Sequence, residues 1–339
     1  MTTVRNQQLD GIKYLLICLV VICHLMQGVR YVNPIFQCIY SVVYSFHMPL
    51  FVLLSGFFFH KTEARDIHRS NLRLLEPLVI YHFLFIHSSD WRSYLFFEPS
   101  PLWYLLSLIC WRWVIYGIEK TLLAIKKRIC YIQALPQRGG GIFIITTSVI
   151  LSLIATFMIN EKYCSFMSIM RTFQFLPFFS IGHVLTNKFL YRLQSGGTCK
   201  ILMLLVLVTI ILLSIFSGPC LNAILFSKYN LYSLSSILGL CLFASFCIKI
   251  IVAVASLVLC FGVLSLKKYP EWLSSNGGTT LFILCVHSLI YYFAQGVNNV
   301  FLAFALAVSS IVLLTLMAKT KFANWMLYPI STVKSFVLK

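Results

Sequence analysis

Residues 11–28 read GIKYLLICLVVICHLMQG. A helical crossing of a bilayer needs about 20 mostly apolar residues. This run comes close to that length with one formal charge, Lys13, next to its start. The apolar residues are continuous rather than alternating, which fits a helix and not a barrel strand. No small-residue cleavage site follows, so the run reads as a retained span and not a signal peptide. Working outward, comparable runs recur at 36–59, 72–88, 101–118, 141–159, 170–187, 201–216, 248–265, 278–295 and 299–317. The expected fold is an all-α polytopic membrane protein of about ten transmembrane helices, forming a single integral-membrane domain over residues 1–339.

Composition supports this reading. Of 339 residues 60% are apolar and 11% charged, with a mean hydropathy of +0.89, whereas soluble domains carry about 25% charged residues. A soluble enzyme or DNA-binding protein is excluded, and the partner implied throughout is the lipid bilayer. The net charge of +18 is explained by topology. With the N-terminus in the cytoplasm, only Arg30, Arg92, Lys162 and Lys228 fall in outer loops. Lys13, Arg73, Arg112, Arg171 and Lys249 fall inside spans, and the other 18 of the 27 basic residues are cytoplasmic. That is a positive-inside pattern, and no nucleic-acid partner is needed. Reading 219–247 as another crossing would split the charges nearly evenly, so this stretch is expected to be a re-entrant outer segment, with both termini cytoplasmic. The twelve cysteines show no CxxC or Cys/His metal spacing and read as small packing residues; no metal site is expected. Cys164 and Cys220 both fall in outer segments and could pair, though nothing in the sequence requires it.

Ionisable groups at membrane depth are expensive and mark function. Glu76 alone among the carboxylates falls within a span, near Arg73 at a cytoplasmic end, which argues against a buried Ser-His-Asp triad. His24, His47 and His287 fall near the middle of the first, second and ninth spans. Lys13 and His24 are eleven residues apart, which returns them to one helix face about 16 Å apart along the axis. A cation at the cytosolic mouth and a base one arm deeper suit a ligand with an anionic head and a thin reactive tail, as coenzyme A has. A snorkelling lysine above an unrelated histidine fits the spacing equally well. Burial disfavours the charged imidazole, so His24 is expected to be neutral and able to take a proton from an attacking hydroxyl. Lys61, Arg65, Arg69 and Arg73 recur every fourth residue and form one helical stripe. Arginine forks suit phosphate oxygens, and lipid head groups are the other partner such a stripe serves.

The motifs themselves resemble the integral-membrane acyltransferase family 3. The opening QQLDGIKYLLICLVVICHLM carries that family's basic residue, ten intervening residues and histidine at Lys13 and His24. SFHMPLFVLLSGFFF matches its second-helix phrase at Phe46, His47, Met48, Pro49, Phe51, Ser55, Gly56 and Phe57. RSNLRLLEP resembles its arginine-rich third helix, PLWYLLSL its Trp-aromatic-Leu fourth helix, RTFQFLPFFSIGH its sixth, and LFILCVHSLI the late helix ending in histidine. Arginine is commoner at the basic position; Lys13 keeps the charge and loses the bidentate fork. The resemblance implies acyl transfer, usually of acetyl, from cytoplasmic acetyl-CoA to a sugar hydroxyl on a surface or lipid-linked glycan such as O-antigen, in a bacterial inner membrane. On that resemblance His24 is the general base, and Lys13, Arg69 and Arg73 hold coenzyme phosphates. Ser55 and Gly56 form a small pair that lets the thioester arm pass close to backbone. His47 and His287 are placed in the site on the same resemblance, each either orienting groups there or satisfying a neighbouring helix.

Trp103 and Tyr104 read either as an aromatic belt at the outer interface or as a sugar platform, with the belt favoured. Arg171, also near the outer face, either meets an anionic acceptor group or snorkels. Gly139, Gly140 and Gly141 lack a phosphate-loop lysine and serine and read as a flexible turn. Ser275 to Gly278 read as the loop and cap before the ninth span. The remaining histidines, His183 among them, read as structural. The competing function is a secondary transporter or flippase with a histidine-lined path, but the inverted repeats and matching broken helices of such proteins are not visible in the sequence.

Overall fold

Helix starts follow from capping side chains. Asn6 accepts from the Leu9 amide and opens α1 (Gln7–Leu25). Asn33 accepts from the Ile35 and Phe36 amides and, with Pro34 in the first turn, opens α2 (Pro34–Phe57), the preferred chemistry at both positions. The chain continues through α3 (Ala64–Leu84), α4 (Trp103–Arg128), α5 (Gln137–Met158), a single turn at Glu161–Cys164, α6 (Ile169–Val184), α7 (Asn187–Ser195) and α8 (Thr198–Ser217). The rest comprises α9 (Pro219–Leu225), α10 (Leu231–Leu238), α11 (Leu242–Leu264), α12 (Glu271–Ser275), α13 (Thr280–Ala294), α14 (Val300–Ala318) and α15 (Lys321–Leu327). The computed structural model describes residues 6–31, 33–60, 63–84, 102–128, 137–217, 219–267, 269–294 and 297–329. Among them there is no β-strand.

The protein is an all-α polytopic membrane protein. Seven of its helical segments are long and apolar enough to cross a membrane: α1, α2, α5 from Gly140, α8, α11, Glu271–Tyr291 and α14. The other three expected spans fall on α3 and α4, which carry several charges, and on α6, which has only 16 residues. Parts of the expected spans, 85–88, 101 and 295, lie outside the described residues, as do Lys61 of the basic stripe and the outer Arg92. The 219–247 stretch does not run as one helix. α10 ends at Gly239, whose φ of +64° closes the helix in the left-handed region, and α11 then begins at Leu242 rather than at 248. The triple glycine is not a turn: it lies in the opening turns of α5, where Gly141 meets Val184. Gly277–Thr279 form the short 3-10 turn leading into α13. Cys164 is a free thiol.

Contacts between neighbours close a ring of six helices in the order α1, α2, α6, α4, α3, α13 and back to α1. Outside it, α8 and α11 pack on α2, α5 covers α4 and α6, and α14 covers α1 and α13. The outer helices expose apolar side chains around most of their circumference: 11% of the α8 span is buried, against 61% for α1 and 56% for α2. The tightest seam is α2 on α6. A Cβ on Gly56 would overlap the Phe179 carbonyl, and one on Gly182 the Leu53 carbonyl, so the two backbones touch through reciprocal glycines, the close approach that membrane helices favour. Polar pairs add specificity. Tyr14 OH and Thr315 Oγ1 bond at 2.7 Å between α1 and α14. Ser214 Oγ donates to Ser41 Oγ at 3.0 Å, and Ser41 Oγ to Asn222 Oδ1 at 3.1 Å, joining α8, α2 and α9.

Helix ends sort into two groups. At one end, Gln8 donates to the Leu266 carbonyl and accepts from Gln194, and Lys13 lies over Phe58. At the other, Asn230 donates to the Ile159 carbonyl, Gln174 to the Tyr229 carbonyl and Arg171 to the Phe226 carbonyl. The first is the end expected to face the cytosol, called the inner end below.

Candidate active site

α1 brings His24 to the wall of a cavity of about 370 Å³ in the outer half of the bundle, lined also by Gln27, Arg30, Tyr40, Tyr44, His47, Met48, Trp103, Arg171, Phe226, Lys228 and Tyr291. That volume is within the range of small-molecule sites. His24 therefore faces an aqueous-sized space and not hydrocarbon. Its ring meets His287 edge-on at 5.3 Å and Tyr291 at 5.5 Å between centroids. Its Nδ1 is buried and has no hydrogen-bond partner, as is true of His287 Nε2.

The two flanking imidazoles are fixed differently. His47 Nδ1–H donates to the Val43 carbonyl at 2.7 Å and His287 Nδ1–H to the Ile283 carbonyl at 2.9 Å. A carbonyl can only accept, so each ring carries its proton on Nδ1 and its lone pair on Nε2. Both are nearly fully buried, at 1% and 0% exposure, while His24 retains partial access to the cavity. One imidazole with an unpartnered Nδ1 thus shares the site with two whose tautomers the helix backbone sets. Tyr291 OH donates to Gln27 Oε1 at 3.1 Å, one turn beyond His287 and His24 respectively, and closes the cluster.

Above the histidines the walls are aromatic and cationic. Trp103 stacks on Phe175 at 5.5 Å, and the Arg171 guanidinium lies 5.1 Å from the Trp103 ring. Arg30 sits 4.5 Å from the Tyr40 ring centroid, and Tyr40 stacks on Tyr44 at 4.2 Å. Lys228 lies 5.3 Å from the Tyr229 ring. No Asp or Glu is among the lining residues. The belt reading of Trp103 and Tyr104 fails here: they are 8% and 4% exposed, because α4 starts inside the bundle. Trp103 walls the cavity, and Tyr104 hydrogen-bonds the Ser55 hydroxyl. Arg171 does not snorkel but folds over Trp103. A second, largely apolar cavity of about 280 Å³ adjoins the first and shares Tyr44, Phe175 and Leu225 with it; Lys249 lies on its wall, donating to the Tyr229 carbonyl at 3.1 Å.

The expected donor-binding residues gather elsewhere. Lys13 lies at the inner end, where its Nζ pairs with Asp10 Oδ1 at 2.7 Å and stands 4.3 Å from the Phe58 ring centroid. Arg69 and Arg73 lie on the exposed face of α3. Gly56 departs from its expected role, since the Phe179 backbone fills the space it leaves, and Ser55 Oγ is engaged by the Phe51 carbonyl and Tyr104. The small pair serves helix packing rather than an open passage. His183 is engaged at both ring nitrogens: Nδ1–H donates to the Phe59 carbonyl and Nε2 pairs with Glu119, both at 2.8 Å.

Sequence reading missed Gln27, Arg30, Tyr40, Tyr44, Lys228 and Tyr291. A signal existed for two of them: Gln27 and Tyr291 lie at helical spacing from His24 and His287 and so share their faces. Arg30 and Lys228 read only as topology charges.

The family model for an acyltransferase domain matches residues 6–320. Comparison with curated proteins and with solved structures gives no match. An all-α membrane bundle that brings a histidine with an unpartnered Nδ1 to a polar cavity is suited to acyl transfer, and by the match over nearly its whole length the chain belongs to the acyltransferase family 3.

Proposed function

We propose that the protein moves an acetyl group from cytoplasmic acetyl-CoA to a sugar hydroxyl of a surface or lipid-linked polysaccharide, such as the O-antigen of lipopolysaccharide, in a bacterial inner membrane. The observation that carries this is His24, whose Nδ1 has no protein partner, on the wall of a cavity with aromatic and cationic sides. In the proposed reaction the neutral His24 imidazole takes the proton of the acceptor hydroxyl as that oxygen attacks the thioester carbonyl. The tetrahedral intermediate collapses, the C–S bond breaks, and the thiolate leaves with the proton returned by the imidazolium. An oxygen ester replaces the thioester and no other reactant is consumed. His287 and Tyr291 hold the plane of His24, and His47 offers an Nε2 lone pair on the cavity's other side.

Trp103, Tyr40 and Tyr44 supply flat apolar faces of the kind that pack on sugar rings. Arg30, Arg171 and Lys228, with no carboxylate on the wall, favour an acceptor carrying negative charge. The adjoining apolar cavity supports a lipid-linked acceptor. Lys13, steadied by Asp10, and Arg69 and Arg73 are proposed to take the coenzyme phosphates at the inner end. The test is incubation of the purified protein with radiolabelled acetyl-CoA and glycan isolated from the same cell envelope, followed by mass analysis. Label and one added acyl mass on the glycan are expected; glycan that moves across vesicles without gaining label would instead identify a transporter.

A further inference from the structure

The helix ring holds a second polar cluster, inward of the His24 cavity, centred on Arg112, a residue that neither the motif resemblance nor the proposed chemistry uses. Arg112 sits near the middle of α4, about 12 Å further along the helix axis than Tyr104. Its Nη1 donates to Asn71 Oδ1 of α3 at 3.0 Å. Its Nε is buried with no partner, as is Nδ2 of Asn71, a residue only 3% exposed. Among the described residues no carboxylate pairs with Arg112. On the adjoining face, Tyr104 bonds the Ser55 hydroxyl of α2 across the ring and lies within electrostatic reach of the Arg112 charge. An arginine at membrane depth is retained only where it is used, and a neutral amide oxygen does not compensate a guanidinium. Two buried N–H groups on facing helices aimed at no acceptor describe a site waiting for one.

We propose that Arg112, oriented by Asn71, binds an oxygen on the arm of the acyl donor, namely the amide carbonyls between thioester and diphosphate, inside the helix ring. The assignment rests on the acyl-CoA reading above. The geometry favours the arm over the phosphates: Arg112 meets α3 at Asn71, on the buried side of that helix, whereas Arg69 and Arg73, proposed for the phosphates, lie on its exposed side. A fork with free donors fits carbonyl oxygens presented in sequence along a thin chain. Asn71 is the positioning residue, since its Oδ1 sets the guanidinium plane.

The test compares two ligands on detergent-purified protein: coenzyme A, which has the arm, and adenosine 3′,5′-bisphosphate, which is the nucleotide end without it. Arg112→Gln is expected to weaken coenzyme A binding about ten- to a hundred-fold, the range for a charged hydrogen bond, and to leave the bisphosphate within about twofold. Arg112→Lys, which keeps the charge and loses the fork, is expected to fall between and covers the case in which the glutamine variant does not fold. Ligand-free Arg112→Gln is expected to melt no lower than wild type, because an uncompensated buried charge is removed; a purely structural brace between α3 and α4 would instead lower the melting temperature and spare the ligand. Unchanged coenzyme A affinity in both folded variants, or equal weakening of both ligands, overturns the assignment while the donor reading stands. Wild-type protein that binds neither ligand overturns the donor reading and the assignment with it.

Discussion

Replacing Gly182 with alanine is expected to damage both the bundle and the site. The new methyl would overlap the Leu53 carbonyl, and Gly56 presents the reciprocal contact to the Phe179 carbonyl. A backbone oxygen cannot swing aside as a side chain can, so α2 and α6 must part by on the order of 1–2 Å before ordinary carbon contact near 3.5 Å is restored. Overpacking of this kind costs about 1–3 kcal/mol. Separation also stretches the 2.8 Å bond from His183 Nδ1–H to the Phe59 carbonyl, adding about 1 kcal/mol. The functional loss follows from what the two helices deliver: α2 carries His47 and Met48 to the cavity, and α6 carries Arg171 and Phe175. An ångström-scale misplacement of site residues costs about 10²-fold in rate. The assay pairs thermal unfolding in detergent with acetyl transfer to glycan, and uses Gly117→Ala as control, because nothing lies within 4 Å of a Cβ there and alanine favours the helix by up to about 1 kcal/mol. Gly182→Ala should melt clearly lower and turn over far more slowly, while the control matches or exceeds wild type. If Gly182→Ala melts and reacts as wild type does, the α2–α6 seam does not set the site geometry and the reasoning is wrong.

Trp103→Ala removes the ring stacked on Phe175 at 5.5 Å and capped by Arg171; the acceptor KM should rise about tenfold, a loss on the scale of one desolvated cation–π contact, with the donor KM unchanged. An acceptor KM that stays put would return Trp103 to simple packing. Arg69→Ala with Arg73→Ala removes two exposed charges from α3, so the donor KM should rise and the effect should shrink at high salt. A donor KM insensitive to the pair would assign the stripe to lipid head groups.

Much of this architecture was legible in the sequence because membrane crossing imposes one simple demand, uninterrupted apolar length, and the strongest runs met it. α3, α4 and α6 were harder: α4 continues to Arg128 rather than stopping at 118, since a helix does not end where the hydrocarbon does. The triple glycine misled for the converse reason, as propensity gave way to packing against Val184. At the site, His24, His47 and His287 stood out because a titratable ring in an apolar run is conspicuous, and folding brings all three to one place. Trp103 and Tyr104 were misread because depth was inferred from the span boundary, whereas α4 begins inside the bundle. Arg112 was counted as a charge within a span, but its link to Asn71 depends on how α3 and α4 pair, which no local pattern encodes.

The most direct measurement is single-turnover acetyl transfer by His24→Gln under saturating donor, alongside donor binding by the same preparation. General-base catalysis contributes about 10²–10⁴-fold, so the variant should bind coenzyme A as wild type does and transfer acetyl at least a hundredfold more slowly. A His24→Gln protein that transfers acetyl at close to the wild-type rate contradicts the account.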